Sequence, residues 1–207
     1  MGLLSLLIDN PVAFFLLVFP LLYSVIAHEI AHGLVASWFG DNTAKNAGRL
    51  SLNPLVHIDP LGTLMLFLVG FGWAKPVPVD YFNLKKSRLA IISVSLAGCV
   101  ANILIATIAI YLLQSSIVNP NSILSRILYT VAQINIILGA FNLIPIPPLD
   151  GSRVLMAILP PEAQRGMARI EPYGFFIIII LLYTELLYPV IDFVRKLIIG
   201  LISFFFI

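Results

Sequence analysis

Two histidines four residues apart, with a glutamate directly after the first, form the segment His28-Glu29-Ile30-Ala31-His32. On a helix, side chains at i and i+4 share a face with Cβ atoms about 6 Å apart, so both imidazoles can reach one metal ion. Glu29 then stands beside the first ligand, where a carboxylate can take the proton of a water held at an open coordination position. The segment lies inside an apolar run from Pro11 to about Phe39. In hydrocarbon each ionisable group costs about 3 kcal/mol on insertion scales, and a leucine would fill the same space without that cost. A bound dication gives three such groups a common partner, which favours a metal site over three satisfied core residues.

The rest of the chain reads as the frame that holds this segment in a membrane. Of 207 residues, 60% are hydrophobic and 11% charged, a balance that excludes an ordinary soluble domain and indicates an all-α polytopic membrane protein. Lysines and arginines form no basic cluster with interleaved aromatics, so no nucleic-acid partner is expected. A single cysteine, Cys99, excludes an intramolecular disulfide and a thiolate zinc cluster. The first apolar run lacks a basic n-region and a small-residue cleavage site before it, and reads as a retained span. No repeat or appended soluble domain is visible, and the sequence specifies no oligomeric state. One membrane-embedded domain over 1–207 is expected, with a core of about 11–159 and C-terminal helices over about 174–207.

Four to five spans follow from the apolar runs. Residues 11–39 would make a helix of about 43 Å, longer than the hydrocarbon needs, with a kink expected near Pro20 and a stop at Gly40-Asp41-Asn42. Residues 89–113 and about 123–143 are further spans, and 174–189 another, followed by a tail helix after Pro189. Residues 152–171 suggest a surface helix pair broken at Pro160-Pro161. The apolar stretch 61–73 covers only about 20 Å as a helix and carries glycines at 62, 70 and 72, so it is either a short span or a re-entrant hairpin. Charge decides between them. Of twelve Lys and Arg, nine lie in three loops: Lys45 and Arg49; Lys75, Lys85, Lys86 and Arg88; Arg153, Arg165 and Arg169. A re-entrant 61–73 keeps all nine on one face, which the positive-inside rule assigns to the cytoplasm. Non-helical chain at that depth must be buried in protein or line a wet cavity, as a site groove would.

A hydrolytic zinc site takes three protein ligands and leaves a fourth position open. The residues leave His57 and Asp150 as candidates for the third. Asp150 follows Pro145-Ile146-Pro147-Pro148, which no helix can traverse, so an unwound backbone there would let its carboxylate turn inward. His57 would need its loop to fold back over the first span.

The HExxH segment together with Asn142-Leu143-Ile144-Pro145-Ile146-Pro147-Pro148-Leu149-Asp150-Gly151 resembles the site-2 protease family of intramembrane zinc metalloproteases. Two further stretches, Asn53-Pro54-Leu55-Val56-His57-Ile58-Asp59-Pro60 and Gly72-Trp73-Ala74-Lys75-Pro76-Val77-Pro78-Val79, are similar to its short bacterial and archaeal branch without PDZ or CBS domains. The resemblance covers about residues 24–155. It implies one Zn2+ per chain on His28, His32 and Asp150, Glu29 as the base, and Asn142 near the substrate or oxyanion. Where the family reads A-G-P-x-x-N, this chain has Ala97-Gly98-Cys99-Val100-Ala101-Asn102; Cys99 replaces the usual Pro and falls on no proposed ligand.

The remaining polar residues carry competing readings. Asn142 is an oxyanion donor or an amide pinning the Pro-rich segment, and Asn102 a substrate-side group or an interhelical hydrogen-bond group. His57 is a ligand, a substrate-side group or a loop-packing residue. Glu185 reads as a helix-packing or water-facing group, and Cys99 as a small packing residue. Residues 76–80 are expected as a short strand, part of a minor β-element beside the site: Pro76 and Pro78 strip one edge of donors, and Val77 and Val79 present theirs on the other. That edge either receives an extended substrate or already pairs near Gly48–Leu52. The expected activity is hydrolysis of a peptide bond in a membrane-protein or peptide substrate, in the cell (cytoplasmic) membrane with the site toward the cytoplasm and the lipid bilayer around it. The rival is a metal-dependent transport or sensor protein, which would have no use for Glu29 beside the open position.

Overall fold

The computed structural model describes residues 3–70, 72–81, 83–84 and 87–206; Phe71 of the re-entrant stretch and Lys85 and Lys86 of the charge argument lie outside them. A short helix α1 (Leu3–Asp9), which no sequence signal announced, precedes the first long one. Asn10 caps α2 (Pro11–Trp38) by accepting the Ala13 N–H at 3.0 Å, with Pro11 in the first turn where its missing N–H costs nothing. Pro20 sits inside α2 without ending it. Gly40, at φ 103°, takes the chain out of the helix, as the Gly-Asp-Asn stop led one to expect. After a single turn α3 (Thr43–Asn46), α4 (Pro60–Val69) begins at Asp59, whose Oδ1 accepts the Gly62 N–H at 2.7 Å.

The chain returns after α4 instead of crossing, since the Lys75 N–H donates to the His57 carbonyl at 2.8 Å and both ends of the stretch meet. This is the re-entrant hairpin. The long helices α5 (Arg88–Gln114) and α6 (Ile123–Asn142) follow, capped by Ser87 and Ser122. α7 (Asp150–Ile158) and α8 (Pro161–Ile170) are separated at Pro160, and a 3-10 turn at Glu171–Tyr173 joins α8 to α9 (Gly174–Tyr183). α10 (Tyr188–Phe206) closes the chain.

Among the described residues, four helical runs are long and apolar enough to cross a bilayer: Pro11–Trp38, Arg88–Gln114, Ile123–Asn142 and Pro161–Tyr183. The last corrects two expectations. The span read as 174–189 ends at Tyr183, because Glu185 adopts a left-handed φ of 62° that a helix does not continue through. The second half of the supposed surface pair is continuous with that span through the 3-10 turn. α5 is the most buried of the four and packs against α2, α6 and α7. Its Ala106 joins Ile136 and Ala140 of α6 with Ile198 and Ile202 of α10 in one apolar cluster, so the tail helix is docked on the bundle.

The minor β-element is not formed; there is no strand among the described residues. Residues 74–80 are extended but build no ladder, and three of the four N–H donors over 75–80 are already used. Lys75 N–H goes to His57, Val77 N–H to Glu29 and Asp80 N–H to Asp41, while Pro76 and Pro78 have none. The Gly48–Leu52 stretch turns at Gly48 (φ 66°), and Arg49 reaches the Lys75 carbonyl at 2.7 Å through its guanidinium. A side chain thus bridges the two segments where a ladder was anticipated.

Candidate active site

α2 presents His28 and His32 one turn apart toward α5, with 6% and 8% of their surfaces exposed. The His32 Nδ1–H donates to the Val94 carbonyl of α5 at 2.7 Å, which fixes the tautomer and leaves Nε2 with a free lone pair. α5 comes this close because residue 98 is glycine. A Cβ there would lie 2.4 Å from His28 Cε1 and 2.5 Å from His32 Nε2, so the two imidazoles occupy the space a side chain would fill. Sequence reasoning missed this; the signal was the small-residue run Ala97-Gly98-Cys99.

Asp150 arrives from the far end of the chain. Its backbone is not unwound, as the Pro-rich break suggested, but is the first residue of α7. Gly151 makes that placement possible, because a Cβ at that position would lie 2.2 Å from the Leu143 carbonyl oxygen. The helix start therefore presses against the end of α6 and swings the Asp150 carboxylate onto the histidines. Arg153, one turn on, holds α7 from the other side through Glu171 at 2.6 Å and lies over the Tyr81 ring.

The donor atoms form a near-equilateral triangle. His28 Nε2 lies 3.1 Å from Asp150 Oδ2, His32 Nε2 3.2 Å from it, and the two nitrogens are 3.1 Å apart. Tetrahedral zinc with bonds of about 2.0–2.1 Å places its ligand atoms about 3.3–3.4 Å apart, so the triangle fits with little adjustment. The chemistry of the set fits as well. Two imidazole lone pairs and a carboxylate converging in a buried place repel one another unless a cation lies among them.

Glu29 points to the same side of α2. Its Oε2 accepts the Val77 N–H at 2.7 Å, which leaves Oε1 free of that bond. The extended segment that supplies Val77 is tied down at both ends, by His57 at Lys75 and by Asp41 at Asp80. Asp41 accepts from the Thr43 hydroxyl, the Thr43 N–H at 3.0 Å, the Asp80 N–H at 2.8 Å and the Asn83 amide at 3.2 Å, and these bonds keep its pKa below the usual range against the opposing effect of burial.

The other candidates are placed as follows. His57 is buried away from the triangle and donates through Nε2 to the Ser51 carbonyl at 2.8 Å, the loop-packing role. Asn142 spends an amide N–H on the Leu138 carbonyl one turn back. Val77 is 7% exposed and its N–H is engaged; the Val79 N–H makes no hydrogen bond among the described residues, and its side chain packs against Ala36, Leu84, Ala90 and Val94. Cys99, expected to touch no ligand, sits with Sγ 4.0 Å from Asp150 Oδ2. Asn102 is fully buried on α5 one turn beyond Gly98.

Residues 114–184, which include Asp150, match the model of "Peptidase family M50". "Putative zinc metalloprotease YwhC" of Bacillus subtilis is 40% identical over 201 residues, 92% of each chain. "Putative zinc metalloprotease Rip2" of Mycolicibacterium smegmatis is 31% identical across 84% of this chain and 69% of its own length. "Zinc metalloprotease MJ0392" of Methanocaldococcus jannaschii is 31% identical across 75% of this chain and 38% of its own. No solved structure matches. With a relative so similar over nearly its whole length, and with the two motifs brought together in space, the chain belongs to peptidase family M50, the site-2 protease family.

Proposed function

We propose that this membrane metalloprotease cleaves peptide bonds within membrane-embedded segments of its substrates, using zinc held by His28, His32 and Asp150 and Glu29 as the base. The observation that carries the reading is the triangle of three electron-rich donors, 3.1–3.2 Å on a side, one residue from a carboxylate. A zinc ion held there would serve as a Lewis acid toward the scissile carbonyl and would lower the pKa of water to about 7. Val77 holds Oε2 of Glu29, so Oε1 is the oxygen presented to the attacking water. Glu29 accepts the proton of that water as its oxygen bonds to the carbonyl carbon. It then returns the proton to the amide nitrogen as the C–N bond breaks. Val94 keeps His32 in the tautomer that offers Nε2 to the metal.

The position of the site supports this substrate class. His32 is six residues before the end of α2, about 9 Å below it along the axis, within a span. A backbone hydrolysed there must be extended with its polar groups satisfied by protein, which suits a transmembrane segment unwound at one end. The positive loops support an orientation with this end of α2 toward the cytoplasm, in the cell membrane.

Purified protein in proteoliposomes, incubated with single-span peptides, tests the proposal. Cleavage is expected from the wild type, with loss on chelation and recovery with zinc. Glu29→Gln keeps the shape but cannot accept the proton, so it should hold zinc and lose 10²–10⁴ in rate, by order of magnitude. A zinc-loaded Glu29→Gln variant that cleaves as fast as the wild type would overturn the mechanism. Zinc flux unaffected by that substitution, without cleavage, would favour the transport reading.

A further inference from the structure

Beside the triangle, four buried polar atoms have no hydrogen-bond partner among the described residues: His28 Nδ1, Asn102 Oδ1, Asn102 Nδ2 and Asn135 Oδ1. His28 is 6% exposed, and Asn102 and Asn135 are both 0% exposed. Groups so buried in a helical bundle are nearly always paired, and an unpaired one costs about 1–3 kcal/mol.

The helix register brings them to one place. Val94 meets His32, and Gly98 meets both His28 and His32, so α5 runs antiparallel to α2 and Asn102 comes level with the turn between His28 and Ser24. Helical side chains lean toward their own N-terminus. Asn102 therefore leans back over Gly98, where an added Cβ would stand 2.6 Å from His28 Nδ1. His28 leans toward Ser24 on the opposite strand of this antiparallel pair of helices. Ser24 already accepts from the Asn135 Nδ2–H of α6 at 2.7 Å, and that amide also donates to the Val131 carbonyl at 2.8 Å.

We infer that Asn102 is the positioning residue for His28, accepting its Nδ1–H and donating onward to Asn135, which in turn donates to Ser24. This inference rests on the metal-site reading above. The donor and acceptor types match at every link. With Nε2 facing the metal, His28 carries its proton on Nδ1 and donates; the Asn102 carbonyl oxygen accepts; the Asn102 amide donates; the Asn135 oxygen accepts. The chain resolves all four orphaned atoms, through a small side-chain shift or one bridging water at a link. His28 then receives from Asn102 what His32 receives from the Val94 carbonyl, a fixed tautomer and ring orientation.

Two measurements on the full-length protein in detergent test this. The first is a long-range ¹H–¹⁵N spectrum of zinc-loaded wild type labelled at histidine; the sequence has three histidines, so a His57→Gln variant leaves two to assign. The expected result is His28 as the Nδ1–H tautomer with that proton shielded from solvent exchange. A mixed tautomer or a fast-exchanging proton overturns the inference, and this arm needs no substitution at Asn102. The second is zinc affinity by chelator competition. Asn102→Leu is expected to weaken zinc 10–100-fold, the usual effect of removing a ligand's orienting partner. Asn102→Asp keeps the acceptor and should stay within about threefold of wild type. Equal zinc affinity for Asn102→Leu and wild type, or equal losses in Leu and Asp, means that Asn102 only ties helices together. Wild type that binds no zinc at all would instead overturn the metal site itself.

Discussion

Gly98→Ala isolates the packing that builds the metal centre. The added Cβ would lie 2.4 Å from His28 Cε1, 2.5 Å from His32 Nε2 and 2.6 Å from His28 Nδ1. Non-bonded carbon contacts settle near 3.5 Å, so each ring or the α5 backbone must retreat by about 1 Å. Helix propensity runs the other way, since Gly→Ala in a helix interior gains about 0.5–1 kcal/mol. Overpacking costs about 1–3 kcal/mol and exceeds that gain, yet leaves the bundle folded. The larger effect is on geometry, because a ligand set tolerates displacement of only about 0.5 Å. Zinc affinity is expected to fall at least about 100-fold, measured by competition with a chelator of known affinity, while the helical circular-dichroism signal persists. Gly139→Ala is the control. Its Cβ would meet Ile103, the Cys99 carbonyl and Ile198 at 3.7–3.8 Å, ordinary contact, so it should bind zinc normally and melt at or above the wild-type temperature. A Gly98→Ala protein that holds zinc as tightly as Gly139→Ala would refute the argument that this glycine makes room for the imidazoles.

Three other outcomes are expected. Asp150→Ala should abolish tight zinc binding while His57→Ala leaves it intact and loosens the hairpin at Ser51; equilibrium dialysis with metal analysis ranks the two, and the reverse order would remove Asp150 from the site. Val77→Pro deletes one N–H between two existing prolines, so the segment stays extended while Glu29 loses a charge-assisted bond of about 1.5–3 kcal/mol. Cleavage should drop about tenfold or more with zinc content unchanged, and an unaltered rate would show that this bond does not orient the base. The third concerns Asp41, whose folded pKa lies below its unfolded value of about 4. Its contribution to stability is therefore complete above pH 4 and lost as pH falls through the folded value. Hydrogen exchange at Asp80 and Asn83 should accelerate in that acid window in the wild type. In Asp41→Asn it should be fast and flat across it, and identical profiles would exclude Asp41 as the clamp.

The amino-acid sequence determined much of this on its own. Spans at 11–39, 89–113 and 123–143 were legible because a bilayer demands about twenty apolar residues whatever the tertiary contacts, and the helices observed differ by one residue at most ends. The histidine pair was legible because helical periodicity is local, and its cost in hydrocarbon made it conspicuous. The hairpin at 61–73 followed from length and charge. What the sequence could not decide is which surfaces meet. Whether Val77 faces a substrate or Glu29 depends on a contact 48 residues away, and the extended segment has no partner strand among the described residues. The span expected to reach Pro189 stopped at Tyr183, because one left-handed residue outweighs a run of apolar ones. Gly98 and Gly151 looked like ordinary small residues until the atoms filling their missing side chains were seen, two imidazoles in one case and a carbonyl in the other. Asp150 stands 118 residues from His32. Only the close approach of α5 and α7 to α2, allowed by those glycines, turns three distant donors into one centre.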